Sequence, residues 1–185
     1  MRRLESRIAL AIVGIASLAL TSCSSYSVNG SNYGSREGYN KHPRPANYAS
    51  RIPHTIASKE KTIVVYPRVH VWGAYKNGEL IKAGLATAGA NYCPDIKRAC
   101  RTTPGTFRIK SLGAASCKSS RYPKPNGGAP MPYCMFFNGH QGLHGSKYVM
   151  EGNASHGCVR LRVADAEWLR FNFANIGTKV IVKPY

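Results

Sequence analysis

The sequence predicts a mainly β domain with a single late helix, and three features carry that expectation. Branched and aromatic residues gather in short runs bounded by Gly, Pro, Asn and Ser; an Asn-Gly pair sits between two such runs; and only one segment has helical spacing. Strands are expected at 62–66, 69–75 and 80–88, with Lys76-Asn77-Gly78-Glu79 as the turn of a hairpin, because Asn-Gly tolerates the positive φ of a tight two-residue turn. Further strands are expected at 105–112, 131–137, 158–161 and 178–182. The helix is placed over 163–174, with Ala164, Trp168 and Phe171 near one face, and ends before Gly177. With 43% hydrophobic and 18% charged residues and 18 glycines, the composition suits a turn-rich globular domain better than a disordered chain or a helical bundle.

Ahead of that domain the chain is organised differently. Arg2, Arg3 and Arg7 precede an apolar run, 8–20, that is short for a bilayer span and fits the hydrophobic core of a secretory signal. Leu20-Thr21-Ser22-Cys23 follows, which resembles the lipobox of bacterial lipoproteins and makes Cys23 the lipidated first residue of the mature protein. The plainer alternative is an ordinary signal peptide cut nearby. Ser24 stands where, by the rule of enteric bacteria, an Asp would retain the protein at the inner membrane, so a periplasmic protein anchored to the outer membrane is expected. From Ser24 onward the chain is rich in Ser, Gly, Asn, Tyr and Pro, with Val28, Ile52 and Ile56 its only branched aliphatics as far as Ser58. That composition predicts a tether spanning roughly 30 Å on average. The expected organisation is a signal peptide at 1–22, a lipidated cysteine and flexible tether at 23–59, and one catalytic domain at 60–185.

The net charge is +18, from 26 Lys and Arg against 8 Asp and Glu, and loss of three arginines and one glutamate with residues 1–22 takes it to +16. Such a field attracts polyanions. The cations are scattered, with neither a recognition helix nor zinc-finger spacing, so no nucleic acid is expected; the carboxylates and headgroups of a cell envelope are a sufficient anionic partner.

The chemistry concentrates near the carboxyl terminus. Gly142-Leu143-His144-Gly145 and Ala154-Ser155-His156-Gly157-Cys158-Val159-Arg160-Leu161 bring two His, one Cys and one Arg into twenty positions. A thiol becomes a strong nucleophile when an imidazole or a positive charge helps remove its proton. If 155–160 is extended, His156, Cys158 and Arg160 share one face and Ser155 and Gly157 the other; His156 is then side by side with Cys158, and His144 from another strand is the better placed base. Other readings compete. A zinc site from His140, His144, His156 and Cys158 needs a helix that Gly139 and Gly142 discourage. A serine hydrolase built on Ser155 lacks the G-x-S-x-G elbow. Cys158 as a half-cystine is possible in an oxidising compartment, but five cysteines follow the lipobox cysteine's departure, an odd number, and Cys158 is the candidate for the one left over.

The segment 144–161, HG(x)9SHGCVRL, resembles the signature of the L,D-transpeptidase (YkuD-like) domain. The run from Arg101 through Thr103-Pro104-Gly105-Thr106-Phe107 resembles its TPxGxF element, 75–89 its early hairpin, and Met131-Pro132-Tyr133 with 142–145 its approach to the first His. The resemblance covers about residues 60–185; the stretch between His144 and Ser155 is shorter than in many members, so the lid over the site is expected to differ. It implies an L,D-transpeptidase-like mixed β-sandwich or barrel with one C-terminal helix. It implies Cys158 as the acylated nucleophile, His144 as its base, and the Gly145 carbonyl as the orienter of the imidazole. His156 polarises or positions substrate, the N–H groups of Gly157 and Cys158 receive the oxyanion, and Arg160 holds a substrate carboxylate or, alternatively, braces the loop by an internal ion pair. Ser155 and Tyr133 join the substrate-binding set. The implied substrate is a peptidoglycan tetrapeptide stem, cleaved after its third residue and passed to an amine on a second stem or an acceptor lipoprotein, or to water in a carboxypeptidase. Carbapenems are expected to trap the acyl-enzyme; no cofactor and no metal are implied.

Cys93, Cys100, Cys117 and Cys134 permit three pairings, of which Cys93 with Cys100, closing the loop before the TPxGxF-like element, and Cys117 with Cys134 is preferred; some staying reduced and buried is the alternative. A papain-like endopeptidase is disfavoured by the order His before Cys and by the SHGC context. A non-catalytic cationic peptidoglycan-binding lipoprotein remains the rival to an enzyme.

Overall fold

In the central strands of the domain apolar residues run without alternation, and the reason is that both of their faces are covered. A computed structural model describes residues 47–185; Cys23, the signal peptide and the tether up to residue 46 lie outside these described residues. The strands are β1 (Thr62–Tyr66), β2 (Val71–Lys76), β3 (Glu79–Thr87), β4 (Gly105–Arg108), β5 (Ser111–Leu112), β6 (Met135–Asn138), β7 (Gln141–Ser146), β8 (Val159–Arg162) and β9 (Lys179–Val182), with one α-helix, α1 (Val163–Trp168). They form a curled mixed sheet in the order β4-β9-β1-β2-β3-β8-β7-β6-β5. The β1–β9 and β7–β8 pairs are parallel and the others antiparallel.

On one face of β1, Ile63 and Val65 join Trp72, Ala74, Leu143, Val159 and Leu161 in the main core, which is closed by Ala166, Leu169 and Phe173. On the other face, Val64, Val71, Tyr75 and Leu85 pack under Tyr48 and Ile52. This second core corrects the expected tether. A single turn of 3-10 helix, Tyr48–Arg51, lies on the sheet, the amide of Leu80 donates to the carbonyl of His54, and the amide of Ile56 donates to the carbonyl of Gly78, each at 2.8 Å. Residues 47–59 therefore belong to the domain, because strands hydrophobic on both faces must be covered on both.

The Asn77-Gly78 turn takes the expected two-residue form, with φ of 55° and 87°. The strand expected over 105–112 divides instead. Its first half pairs with β9 at one edge of the sheet, its second half with β6 at the other, and buried Ile109 marks the crossing. Strand β7 is the separate strand expected to carry His144, whose bounds are not legible in the sequence because Gly142 and Gly145 dilute its apolar signal. The late helix is shorter than expected, passing after Trp168 into a wider π turn over Leu169–Phe173, closed by the Ala174 amide on the Leu169 carbonyl at 2.7 Å. Its inward face is Ala166, Leu169 and Phe173, while Ala164 and Phe171 face outward, because the strand β8 runs directly into the helix and sets its rotation.

Candidate active site

Strands β7 and β8 bring the chemistry together. Their parallel register places Leu143 against Val159 and His144 against Arg160. Cys158 immediately precedes β8, next to the Val159 that pairs with Leu143, so it lies close to His144 on the neighbouring strand. Leu143 and Val159 point into the core, so His144, Arg160 and Cys158 face the opposite way, into a cavity of about 900 Å³ that all three line.

His144 is 6% exposed, and its Nδ1 lies 2.8 Å from the carbonyl oxygen of Gly145. A carbonyl only accepts, so Nδ1 donates and Nε2 is left as the basic nitrogen. Burial, reinforced by the Arg160 charge and partly offset by the Gly145 carbonyl, pushes the imidazole down to about 4. Burial likewise pushes the half-buried Cys158 thiol up, with the Gly142 amide and Arg160 working in the other direction. The sulfur lies 3.3 Å from the His140 carbonyl, to which the thiol donates. Both shifts favour a neutral thiol beside a neutral imidazole. With both partners desolvated, an ion pair costs more than its mutual attraction returns.

The turn into β8 changes the parts expected of Ser155, Gly157 and His156. Residues 156–158 bend, and extended structure begins at Val159, so His156 and Cys158 do not share a strand face. Gly157 takes a φ of 116°, which makes this bend available to glycine. Ser155 is 2% exposed, donates its hydroxyl to the Cys158 carbonyl and accepts from the Gly157 amide at 3.2 Å. Ser155 thus braces the nucleophile's turn, its hydroxyl engaged within that turn at the edge of the cavity. The Gly157 amide, engaged by it, is not a free oxyanion donor; the amide of Cys158 remains. His156 instead holds Asp95, both carboxylate oxygens lying 2.9 Å from Nε2, and its ring lies against that of Tyr122, with 4.5 Å between centroids.

Tyr133 is also corrected as a substrate residue. It has a φ of 58°, donates its hydroxyl to Glu167 at 2.7 Å and meets Phe171 edge-on, so it fastens the helix instead of lining the cavity. Arg160 is partly buried in the cavity wall, and among the described residues no carboxylate lies within ion-pair distance of it. The internal ion pair weighed above is not formed there. Five further cations, Arg98, Arg101, Lys118, Arg121 and Lys147, line the same cavity, and no Asp or Glu does.

Cys93 is bonded to Cys100 and Cys117 to Cys134, while Cys158 is free. Among the described residues, the His, Cys, Asp and Glu side chains close enough to share an ion are Cys93, Asp95 and His156, and the Cys93 sulfur is committed to its disulfide. His140, His144, His156 and Cys158 form no such group. Three participants went unread in the sequence. Asp95 and Tyr122 sit in loops whose contacts come only from folding. Gln141 accepts from the Thr103 amide at 3.0 Å and donates to the Arg101 carbonyl at 3.1 Å, tying the TPxGxF-like segment to the hairpin beside the thiol. Only their place inside the disulfide-closed loops, or next to a strand turn, offered any signal.

A buried histidine with an oriented ring and a free cysteine, on neighbouring parallel strands of a curled mixed sheet, define a Cys-His site on a mainly β scaffold. The profile of the YkuD family, the L,D-transpeptidase catalytic domain, matches residues 60–182, and the chain belongs to that family. No curated protein sequence matches it. Among solved structures it is similar to residues 123–326 of the L,D-transpeptidase from Xylanimonas cellulosilytica DSM 15894, at 24% identity with a TM-score of 0.58, over 72% of this chain and 66% of that one. It is also similar to an L,D-transpeptidase from Mycobacterium smegmatis, at 20% identity and a TM-score of 0.56, over 68% and 59% of the two chains. A third is L,D-transpeptidase 3 from Mycobacterium tuberculosis in complex with a faropenem-derived adduct, at 20% identity and a TM-score of 0.54, over 67% and 60%. The chain spans less than two thirds of the length of each of these. At these identities the likeness speaks for the fold.

Proposed function

We propose that the protein is a peptidoglycan L,D-transpeptidase in which Cys158 acylates on a tetrapeptide stem and passes the acyl group to an amine. The supporting observation is the placement of His144: ring oriented by Gly145, Nε2 free, and in the same cavity wall as Cys158. The thiol proton moves to His144 Nε2 as the sulfur attacks the carbonyl on the L-centre of the third residue. The bond from that carbonyl carbon to the terminal D-Ala nitrogen then breaks, and the imidazolium returns the proton to the departing amine. A thioester on Cys158 results. In the second half an acceptor amine attacks the thioester carbon and gives its proton to His144. The sulfur leaves and recovers that proton.

Because burial favours a neutral resting pair, proton transfer accompanies attack, the form of general base catalysis that contributes about a hundredfold to ten-thousandfold. The Cys158 amide is the backbone donor for the developing oxyanion. Arg160, with no acidic partner among the described residues, receives a carboxylate of the stem, in a cavity whose charged lining is wholly cationic. Lipidation at Cys23, residence in the periplasm with an anchor in the outer membrane, a tether before residue 47, and a lipoprotein as an alternative acceptor complete the reading on the strength of the sequence. Incubating the full-length protein with tetrapeptide-rich sacculi tests it. Mass analysis is expected to show cross-linked tripeptide-to-stem products with release of D-Ala from the wild type and none from Cys158→Ala; unchanged muropeptides with the wild type contradict it.

A further inference from the structure

His156 is held from both sides by loops that the disulfides close. In the loop 93–100, the Cys93 amide donates to the Arg98 carbonyl at 3.0 Å and the Cys93–Cys100 bond shuts the ring, which projects Asp95 towards Nε2. The loop 117–134, shut by Cys117–Cys134 and pinned by the Ser119 amide on the Ala129 carbonyl at 2.9 Å, lays Tyr122 against the imidazole face. Contact with the face restricts the ring's tilt, and contact with Nε2 restricts its rotation. Asp95 itself is exposed and has no role in the acyl transfer described above.

An ionised carboxylate only accepts hydrogen bonds, and the Asp95 carboxyl is held below the usual carboxylate range, first by its bond with His156. With both its oxygens 2.9 Å from Nε2, that nitrogen carries the hydrogen. In the neutral ring Nδ1 is then an acceptor. His156 lines the same cavity as Cys158, and an unprotonated Nδ1 can only accept a hydrogen bond, so its complement is an N–H donor.

We propose that Asp95 is a positioning residue that fixes His156 as the Nε2–H tautomer, so that Nδ1 accepts a hydrogen bond from a peptide N–H of the donor stem. As to the substrate, this rests on the reading of the reaction given above. The relationship parallels that of His144 and Gly145 with the nitrogens exchanged: one imidazole keeps Nε2 free to take a proton, the other keeps Nδ1 free to hold substrate.

The test combines nitrogen-15 NMR of the histidine side chains with donor kinetics on the full-length protein, for the wild type, Asp95→Ala and Asp95→Glu. In the wild type His156 is expected to show a protonated Nε2 and an unprotonated Nδ1. Asp95→Ala is expected to mix the two tautomers and raise KM for a tetrapeptide donor about tenfold while kcat stays within about twofold, the pattern of lost ground-state binding. Asp95→Glu is expected to recover most of both. A wild-type ring protonated on Nδ1, or an Asp95→Ala variant with unchanged tautomer and KM, overturns the proposal. Absence of turnover in the wild type contradicts the catalytic reading instead, and the nitrogen signals then decide the tautomer assignment on their own.

Discussion

His144 and Arg160 stand directly opposite one another in the parallel ladder of β7 and β8, a buried imidazole beside a half-buried guanidinium. The cation lowers the proton affinity of the ring and also favours the thiolate of Cys158. Burial sets the larger part of both shifts, and Arg160 acts on both residues, adding to the fall of His144 and opposing the rise of Cys158.

The first consequence is a pH profile. His144 has its folded pKa at about 4, below the ordinary histidine value of 6.5. Its protonation favours the unfolded chain, so the stabilisation is complete above about pH 6.5 and is lost as pH falls towards 4. The shift corresponds to about 3 kcal/mol. Denaturant unfolding at pH 7.5 and at pH 4.5 is expected to show most of that loss, and His144→Gln to remove it. Acylation is expected to fail with an apparent midpoint near 4 on the acid side, instead of near 6.5.

Arg160→Gln is expected to act on two readouts. Loss of the cation leaves burial of the thiol less opposed, so iodoacetamide should modify Cys158 several-fold more slowly at pH 7.5. Loss of the carboxylate partner should raise KM for a tetrapeptide donor by about tenfold or more, the scale of a charge-assisted hydrogen bond. Stopped alkylation assays and donor titrations measure the two separately.

The six cations of the cavity lining, with no acid among its residues, predict a salt-sensitive encounter. Raising the ionic strength from about 0.05 to 0.5 M is expected to lower kcat/KM for a donor with free carboxylates several-fold, while a donor with amidated carboxylates should change little. Initial rates with the two donors across a salt series check this.

The segment before residue 60 should matter to stability. Ile52 is 6% exposed and closes the second core against Val64, Val71 and Tyr75. Ile52→Ala is expected to cost about 3 kcal/mol in denaturant unfolding. A flexible tether would give no change. Tyr133→Phe, which loses the exposed hydrogen bond to Glu167, should leave KM unaltered in donor titrations.

The parts of the molecule legible in the sequence are those set by local chemistry. Asn77-Gly78 names its own hairpin turn, and the SHGC segment marks its cysteine by composition alone. What sequence reading missed depends on partners distant along the chain. Ser155 and Gly157 have the residue types of a substrate contact and an oxyanion donor, yet they satisfy each other across a bend that assuming an extended strand conceals. Tyr133 lies near the motif, but its positive φ turns the ring to Glu167. The stretch 47–59 is too poor in apolar residues to fold alone and gains its structure from strands already apolar on both faces. Asp95 acquires meaning only when the 93–100 ring sets it on His156. Protonation was the least legible property, since burial moves His144 and Cys158 in opposite directions and burial is a property of the assembled fold.

Covalent trapping tests the central claim most directly. The full-length protein is incubated with a carbapenem and analysed by intact mass and peptide mapping, beside Cys158→Ala and His144→Ala. The expected result is one drug adduct per chain, located on the Cys158 sulfur, absent from Cys158→Ala and formed at least a hundredfold more slowly in His144→Ala. An adduct on any other residue, or one formed at the wild-type rate without His144, contradicts the account.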